Sequence, residues 1–313
     1  MPSLLYFIFK KIVRLPFHGN LKFLLVSYFI GTFLFATVTC FNFGYHSLAP
    51  FFFSSKCDLI IERNLFKYGH LSALVFMTIP MLLPVGFTIE RFIALIMAQS
   101  YESVRTLLGP LLFLSISVID CSILYSIYHD DPFTDNFISF ILIPSNSAVK
   151  YNRFFWALVV IKISNFSCNC FLLFMHKKMH NKHRKHSSSL SAKYEMEEIN
   201  QSSRFTLIVT FSHLLFFGWY VSSILFTRTV GQDFFGGYIN YTIMRAVYCA
   251  TPTYNFVIVF IGFKALHHLN LKRNNRISST VQIKSTGHEG AQNYDNAIYG
   301  LWDSVHFEMS KKC

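Results

Sequence analysis

Long apolar runs separated by short polar segments set the pattern of this chain. Six runs stand out: Phe23–His46, Tyr68–Ile89, Thr106–Tyr128, Phe154–Met175, Phe205–Thr227 and Ile239–Phe263. Each reaches the roughly 20 residues that a helix needs to cross the hydrocarbon core of a bilayer. Three carry no formal charge, and the other three carry one each, Asp120, Lys162 and Arg245. The first twenty residues hold only a short apolar piece, Leu4–Phe9, followed by Lys10, Lys11 and Arg14. Six helical residues rise about 9 Å, too little to span. The pattern predicts an all-α, polytopic transmembrane bundle with six full spans over residues 1–263. A helix fragment at 3–14 precedes the spans, and a polar tail at 264–313 follows them.

Composition narrows the class. The 313 residues are 52% hydrophobic, 18% aromatic and only 14% charged, with 36 Phe. So much apolar surface cannot be hidden in one soluble core, and an integral membrane protein is expected with the lipid bilayer as its first partner. The seven Cys are an odd number. Five of them, Cys40, Cys121, Cys168, Cys170 and Cys249, fall inside apolar runs, where a free thiol acts as a small buried hydrophobe. No disulfide framework is indicated. Leu4–Phe9 is too short for the apolar region of a cleavable signal peptide and lacks a positive segment before it.

Charge sets the expected orientation. With the N-terminus inside, twenty of the Lys and Arg side chains outside the spans lie on the inner face and six on the outer. The positive-inside rule then makes the N-terminal side cytoplasmic and puts Glu90 and Arg91 on that face. The outer segment His129–Asn152 is acidic, with Asp130, Asp131 and Asp135, and is expected to be irregular around Pro132 and Pro144. The inner segment begins HKKMHNKHRKHSSS, basic and flexible in composition. It turns helical at LSAKYEMEEINQSSR, where Lys193 and Glu197 have i,i+4 spacing, and should run on into the span at Phe205. Beyond Phe263, the spacing of Phe263, Leu266 and Leu269 suits a short amphipathic helix on the inner leaflet or a plain stop-transfer cluster. The tail Asn274–Cys313 carries a Ser278-Ser279-Thr280 run that kinases can use.

Catalytic chemistry finds no support, and neither do a cofactor, a metal or a nucleic-acid partner. There is no Gly-rich phosphate loop and no Cys-x-x-Cys pair. The side chains of Cys168-x-Cys170 diverge on a helix. His176, His180, His183 and His186 have metal-compatible spacing but lie in a basic segment that reads first as solvated. The intramembrane charges are more informative. Asp120 and Lys162 lie eight residues from the outer ends of their runs and Arg245 six, roughly 9–12 Å below the surface. A charge at that depth is costly and faces a partner or a wet cavity. Asp120, Lys162 and Arg245 can therefore line an outward-facing ligand pocket, one base pairing with Asp120 and the other meeting an anionic or polar ligand. Alternatively, Lys162 and Arg245 snorkel to headgroups while Asp120 bonds backbone. His213 reads as a hydrogen-bonded packing residue. Pro252 inside the last run frees a carbonyl and marks a candidate hinge. A transporter or channel would show internal repeats or paired broken helices, which the sequence lacks. The sequon Asn240-Tyr241-Thr242 sits at a span mouth.

Four stretches carry a family resemblance. PFHGNLK (Pro16–Lys22), TIERFIALIMAQSYE (Thr88–Glu102), LSAKYEMEEINQS (Leu190–Ser202) and KSTGHEGAQNYDNAIYGLW (Lys284–Trp302) occur in order, and together they resemble the nematode chemosensory G-protein-coupled receptors of the serpentine class alpha/beta type. The resemblance implies that the six runs are helices two to seven and that Leu4–Phe9 is the inner end of a truncated first helix. It implies a plasma-membrane receptor, at the sensory cilium, for a small molecule, with a heterotrimeric G protein as partner. Glu90, Arg91 and Phe92 would then form the coupling motif: Glu90 holds Arg91 at rest, and ligand-driven motion of the fifth to seventh helices frees it. Two departures follow. Cys57 is the only outer-loop Cys, so the disulfide common in this superfamily has no partner, and Asn255 stands in TPTYNF where the common pattern has Tyr. A truncated or degenerate, non-signalling protein is the competing reading.

Overall fold

The computed structural model describes residues 2–15, 17–52, 60–97, 101, 106–137, 140, 142–185, 190–229, 234, 236, 250–281, 294–295 and 299. Within its helices, the side chains at 46, 49–50, 179–185, 190–197, 224–229, 250–252, 255–256 and 272–281 lie outside the description. Arg245, Cys57, the 240–242 sequon and the segment Lys284–Trp302, apart from Tyr294, Asp295 and Tyr299, are outside as well. The chain divides into two units, Met1–Phe263 and Lys264–Cys313.

The described residues are all-helical, with seven α-helices and one π-turn. Helix α1, Pro2–Phe7, passes into the π-turn at Ile8–Ile12. There follow α2 (Gly19–Phe52), α3 (Arg63–Ile96), α4 (Leu108–Tyr128), α5 (Ala148–Lys185), α6 (Leu190–Thr229) and α7 (Ala250–Val281). Five of them, α2 to α6, are long and apolar enough to cross a membrane. The predicted sixth run begins in residues outside the description, and α7 contributes a shorter apolar stretch, Val257–Leu271. Continuity of α6 from Leu190 through Phe205 follows the sequence expectation.

Helix α3 runs through the middle of the bundle, packing against α2, α4, α5 and α6. It is the most deeply buried of the five long helices although it contains Pro80 and Pro84. Neither proline has an N–H to donate, so the carbonyls of Phe76 and Pro80 lose their helical partner, yet α3 continues unbroken from Arg63 to Ile96. Hydroxyls on these helices bond back to the preceding turn, as Thr32 does to the Tyr28 carbonyl at 2.9 Å and Ser122 to Val118 at 2.7 Å, which satisfies them without water.

The short first element is packed rather than frayed. Phe7 is buried, with its ring 5.1 Å from Phe29 of α2 and 4.8 Å from Phe263 of α7. Gly262 makes room for it: a Cβ there would come within 2.6 Å of the Phe7 ring. The outward faces of the helices are apolar, with Leu111, Leu114, Val118 and Ile119 of α4 exposed, as a lipid-facing surface requires. Cys40, Cys121, Cys168 and Cys170 are free and exposed on such faces. This corrects the expectation of burial: the apolar environment they occupy is lipid, not core.

At the end of the bundle away from Glu90, the segment between α4 and α5 folds onto α3 through stacked rings. Phe66 lies parallel to Phe137 at 3.6 Å between centroids and stacks on His70 at 5.3 Å. The His70 ring bonds the Phe140 carbonyl at 2.8 Å through Nδ1 and the Tyr128 hydroxyl at 3.2 Å through Nε2. The Ile61 N–H donates to the Phe137 carbonyl at 2.8 Å. Phe133 adopts φ 50, a conformation that costs an L residue on the order of 1 kcal/mol, and its N–H is held by Asp131 Oδ1 at 2.9 Å. Thus rings and a histidine fasten this loop to α3, the position for which the superfamily often uses a disulfide.

Candidate functional site

Glu90 and Arg91 occupy the penultimate turn of α3, both essentially without solvent contact, at 0% and 2% exposure. Neighbours on a helix diverge by about 100°, yet two long side chains can curl back and meet. Arg91 Nε donates to Glu90 Oε2 at 2.5 Å and Nη2 to Oε1 at 2.6 Å, a fork-on-fork pair. The third arm of the guanidinium, Nη1, donates to the hydroxyl of Ser202 on α6, and Ser202 in turn donates to the Ile199 carbonyl at 3.0 Å. Glu90 also accepts from the Tyr101 hydroxyl. Burial raises the Tyr101 pKa, and the negative charge of Glu90 raises it further, so this phenol keeps its proton.

Further contacts extend the cluster to the beginning of α2 and α4. The Tyr101 ring lies 4.4 Å from that of His18, and Asn20 bonds the Tyr101 hydroxyl. The His18 N–H donates to Glu198 Oε1 of α6 at 2.7 Å, and Asn20 Oδ1 accepts from the Gly109 N–H at 3.0 Å. Only glycine fits at 109, because a Cβ would sit 2.5 Å from the Asn20 carbonyl oxygen. Phe92 takes no part in this cluster and is half exposed on the helix surface. One guanidinium thus ties the end of α3 to α6, with a carboxylate neutralising it. Breaking such a buried pair on one side strands the other charge, which costs about 3–5 kcal/mol.

The second group lies midway along the bundle, on one turn of α3. Thr78 donates to Asp120 Oδ2 of α4 at 2.7 Å, and Thr78 also bonds the Leu74 carbonyl at 2.9 Å. Asp120 is fully buried, and among the described residues its Oδ1 has no partner, nor has the hydroxyl of Ser117 one turn away on α4. Three residues along α3, the Met81 carbonyl accepts from Lys162 Nζ of α5 at 2.6 Å. Lys162 faces His213 Nδ1 of α6 at 3.2 Å and lies over the Phe217 ring at 5.4 Å. His213 stacks on Tyr254 of α7 at 5.0 Å, and the Tyr254 hydroxyl bonds that of Tyr28 on α2.

Asp120 and Lys162 therefore converge on neighbouring positions of α3 but do not pair with each other; each is held by a neutral group. The sequence offered Lys162 or Arg245 as the base to pair with Asp120; Lys162 is held instead by the Met81 carbonyl and His213. Arg245 lies outside the described residues. Pro252 is within α7, its side chain outside the description.

Sequence reasoning missed the partners rather than the charges. Tyr101 and Ser202 stand inside the very stretches that carried the resemblance, yet nothing local links Arg91 to a serine 111 positions later. Thr78 and the Met81 carbonyl were invisible for the same reason. His213 is a hydrogen-bonded packing residue as its position suggested, and its bond to Lys162 is the addition.

Comparison with known proteins identifies the family. The family described as serpentine type 7TM GPCR chemoreceptor Srb matches residues 1–217. The chain is 66% identical over 308 residues to serpentine receptor class beta-12 of Caenorhabditis elegans, covering 98% of this chain and 88% of that protein. It is 54% identical over 305 residues to class beta-1 and 53% over 305 residues to class beta-2 of the same organism, covering 97% of this chain and 89% and 88% of those proteins. No solved structure matches it. The chain is a multi-pass membrane protein that belongs to the serpentine class beta family of seven-helix chemoreceptors, a family of receptors and not of enzymes.

Proposed function

We propose that this chain binds a small molecule within the α3–α6 bundle and passes the signal to a heterotrimeric G protein by releasing Arg91. The observation that carries the proposal is the bond from Arg91 Nη1 to Ser202, made while the other arms of the guanidinium are forked onto Glu90. It fastens α6 to α3 at the end that the charge distribution assigns to the cytoplasm. While that bond stands, no crevice can open between the two helices for a G-protein α subunit.

The ligand acts at the other group. Asp120 and Lys162 touch the same turn of α3, and Lys162 also touches His213 of α6. A molecule that engages Lys162 better when α6 has moved shifts the population toward the open form, by no more than its differential affinity for the two states. Arg91 then exchanges Ser202 for the G protein, and the half-exposed Phe92 is available at that surface. The receptor works in the plasma membrane, at the sensory cilium, with its basic face and tail in the cytoplasm.

Glu90→Gln keeps the shape and removes the charge. Weakening the closed state by about 1 kcal/mol raises the open-to-closed ratio about fivefold. Basal calcium or cAMP signalling in cells expressing the variant should rise several-fold at equal surface expression. An unchanged baseline at equal surface expression sinks the lock.

A further inference from the structure

We propose that the molecule recognised by this bundle is an organic anion, a carboxylate on an apolar or aromatic body, with the Lys162 ammonium as its counter-ion. This deepens the receptor reading above and rests on it.

Lys162 is a buried cation whose partners are all neutral. Its Nζ donates to the Met81 carbonyl and to the imidazole of His213, and the face of Phe217 covers it. Five of the described helices are long and apolar enough to span, and the acids within those segments are Glu90, Asp120 and Glu198. Glu90 is committed to Arg91, Asp120 accepts from Thr78, and Glu198 accepts from the His18 backbone. Among the described residues the ion pairs are Arg91–Glu90, His129–Asp130 and Lys150–Asp130, so none of the described carboxylates pairs with Lys162. An ammonium that deep, facing only neutral groups, leaves most of its desolvation cost uncompensated. A carboxylate brought by a ligand supplies the missing charge.

The surroundings select the rest of the molecule. Phe155 and Leu158 of α5, Phe217 of α6, and Met77 and Met81 of α3 belong to one apolar cluster around this level of the bundle. Phe155 and Phe217 lie 5.9 Å apart. Their rings and thioethers suit an aryl or acyl body. An amine ligand would place like charges together, and an amide or alcohol would add another neutral acceptor to those already present. The anion also competes with His213 for the ammonium. Because His213 stacks on Tyr254, and Tyr254 bonds Tyr28, the change reaches α6, α7 and α2 at once.

The test uses the full chain in lipid nanodiscs and reads the midpoint of thermal unfolding. Sodium benzoate, benzamide, benzylamine and sodium chloride are compared at matched ionic strength. Benzoate is expected to raise the midpoint by ~2 °C or more through mass action, with the other three causing no comparable shift. Lys162→Met should abolish the benzoate shift and Lys162→Arg should retain part of it. Equal behaviour of benzoate and benzamide in the unmodified chain, including no shift from either, overturns the proposal without any variant having to fold. So does a full benzoate shift in Lys162→Met. These readings are independent of the Glu90→Gln baseline. A retained benzoate shift with an unchanged baseline would sink the signalling mechanism alone, and the converse would sink the anion alone.

Discussion

The two ends of this bundle are held in opposite ways. At one, Glu90, Arg91, Tyr101 and Ser202 make a few short directional bonds around a buried charge. At the other, Phe66, Phe137, Phe140, Phe133 and His70 form a stack in which many weak contacts share the load. A charge cluster is close to binary: removing one atom group strands its partner, so it can be switched. Stacked rings yield gradually, so they suit a part that must stay in place. The contrast assigns motion to the α3–α6 end and anchoring to the loop between α4 and α5.

Truncating the stack should give the largest effect. Phe66→Ala removes the ring that touches Phe137, His70 and Phe133, and deleting a buried Phe costs about 3–5 kcal/mol. The variant should show a much lower thermal midpoint and faster proteolysis of the 129–147 segment, with no rise in basal signalling per surface receptor. A raised baseline would mean that the two ends are not divided in this way.

Ser202→Ala sharpens the contrast at intermediate size. It deletes one hydrogen bond to a charged donor, about 1.5–3 kcal/mol at most, while leaving the Glu90–Arg91 fork intact. Basal signalling should rise, with a fall in unfolding midpoint smaller than that of Phe66→Ala. A fall in stability matching that of Phe66→Ala would show that the polar end is structural as well.

The smallest effect concerns acid. Asp135 accepts from the Ser145 hydroxyl at 2.5 Å and from its N–H at 2.9 Å, and these bonds hold its carboxyl below the usual carboxylate range. A depressed folded pKa gives a contribution that is complete above about pH 4 and is lost as pH falls through the lower folded value. The protection factor of the Ser145 amide against hydrogen exchange should therefore fall below about pH 4. Asp135→Asn should remove that pH dependence and leave the Phe66 stack untouched.

The helical architecture was legible because lipid makes an unusually strict demand: a spanning segment must satisfy its backbone internally and face outward with apolar groups. That demand writes itself as uncharged runs, and it singled out Asp120 and Lys162 as candidates because a charge in such a run is exceptional. It does not write partners. Whether Lys162 meets Asp120 or the Met81 carbonyl depends on how α3, α4 and α5 pack, a matter of a few ångströms that no local pattern records. The exposed thiols show the same limit, since hydropathy cannot tell core from lipid. The aromatic fastening of the loop between α4 and α5 was illegible for another reason: with 36 Phe in the chain, the few that stack carry no distinguishing signal.

Helix α6 can be viewed as a rigid lever. It is unbroken from Leu190 to Thr229 and contains no proline. His213, where the buried amine touches it, and Ser202, where Arg91 grips it, are eleven residues apart, about 16 Å along the axis. With His213 as the fulcrum, a tilt of only ~5° swings the Ser202 hydroxyl by about 1.4 Å, enough to carry it beyond hydrogen-bond reach of the guanidinium. On the proposed mechanism a ligand need not open the bundle widely: a tilt of a few degrees set about His213 is carried to Ser202 by the stiffness of a single helix.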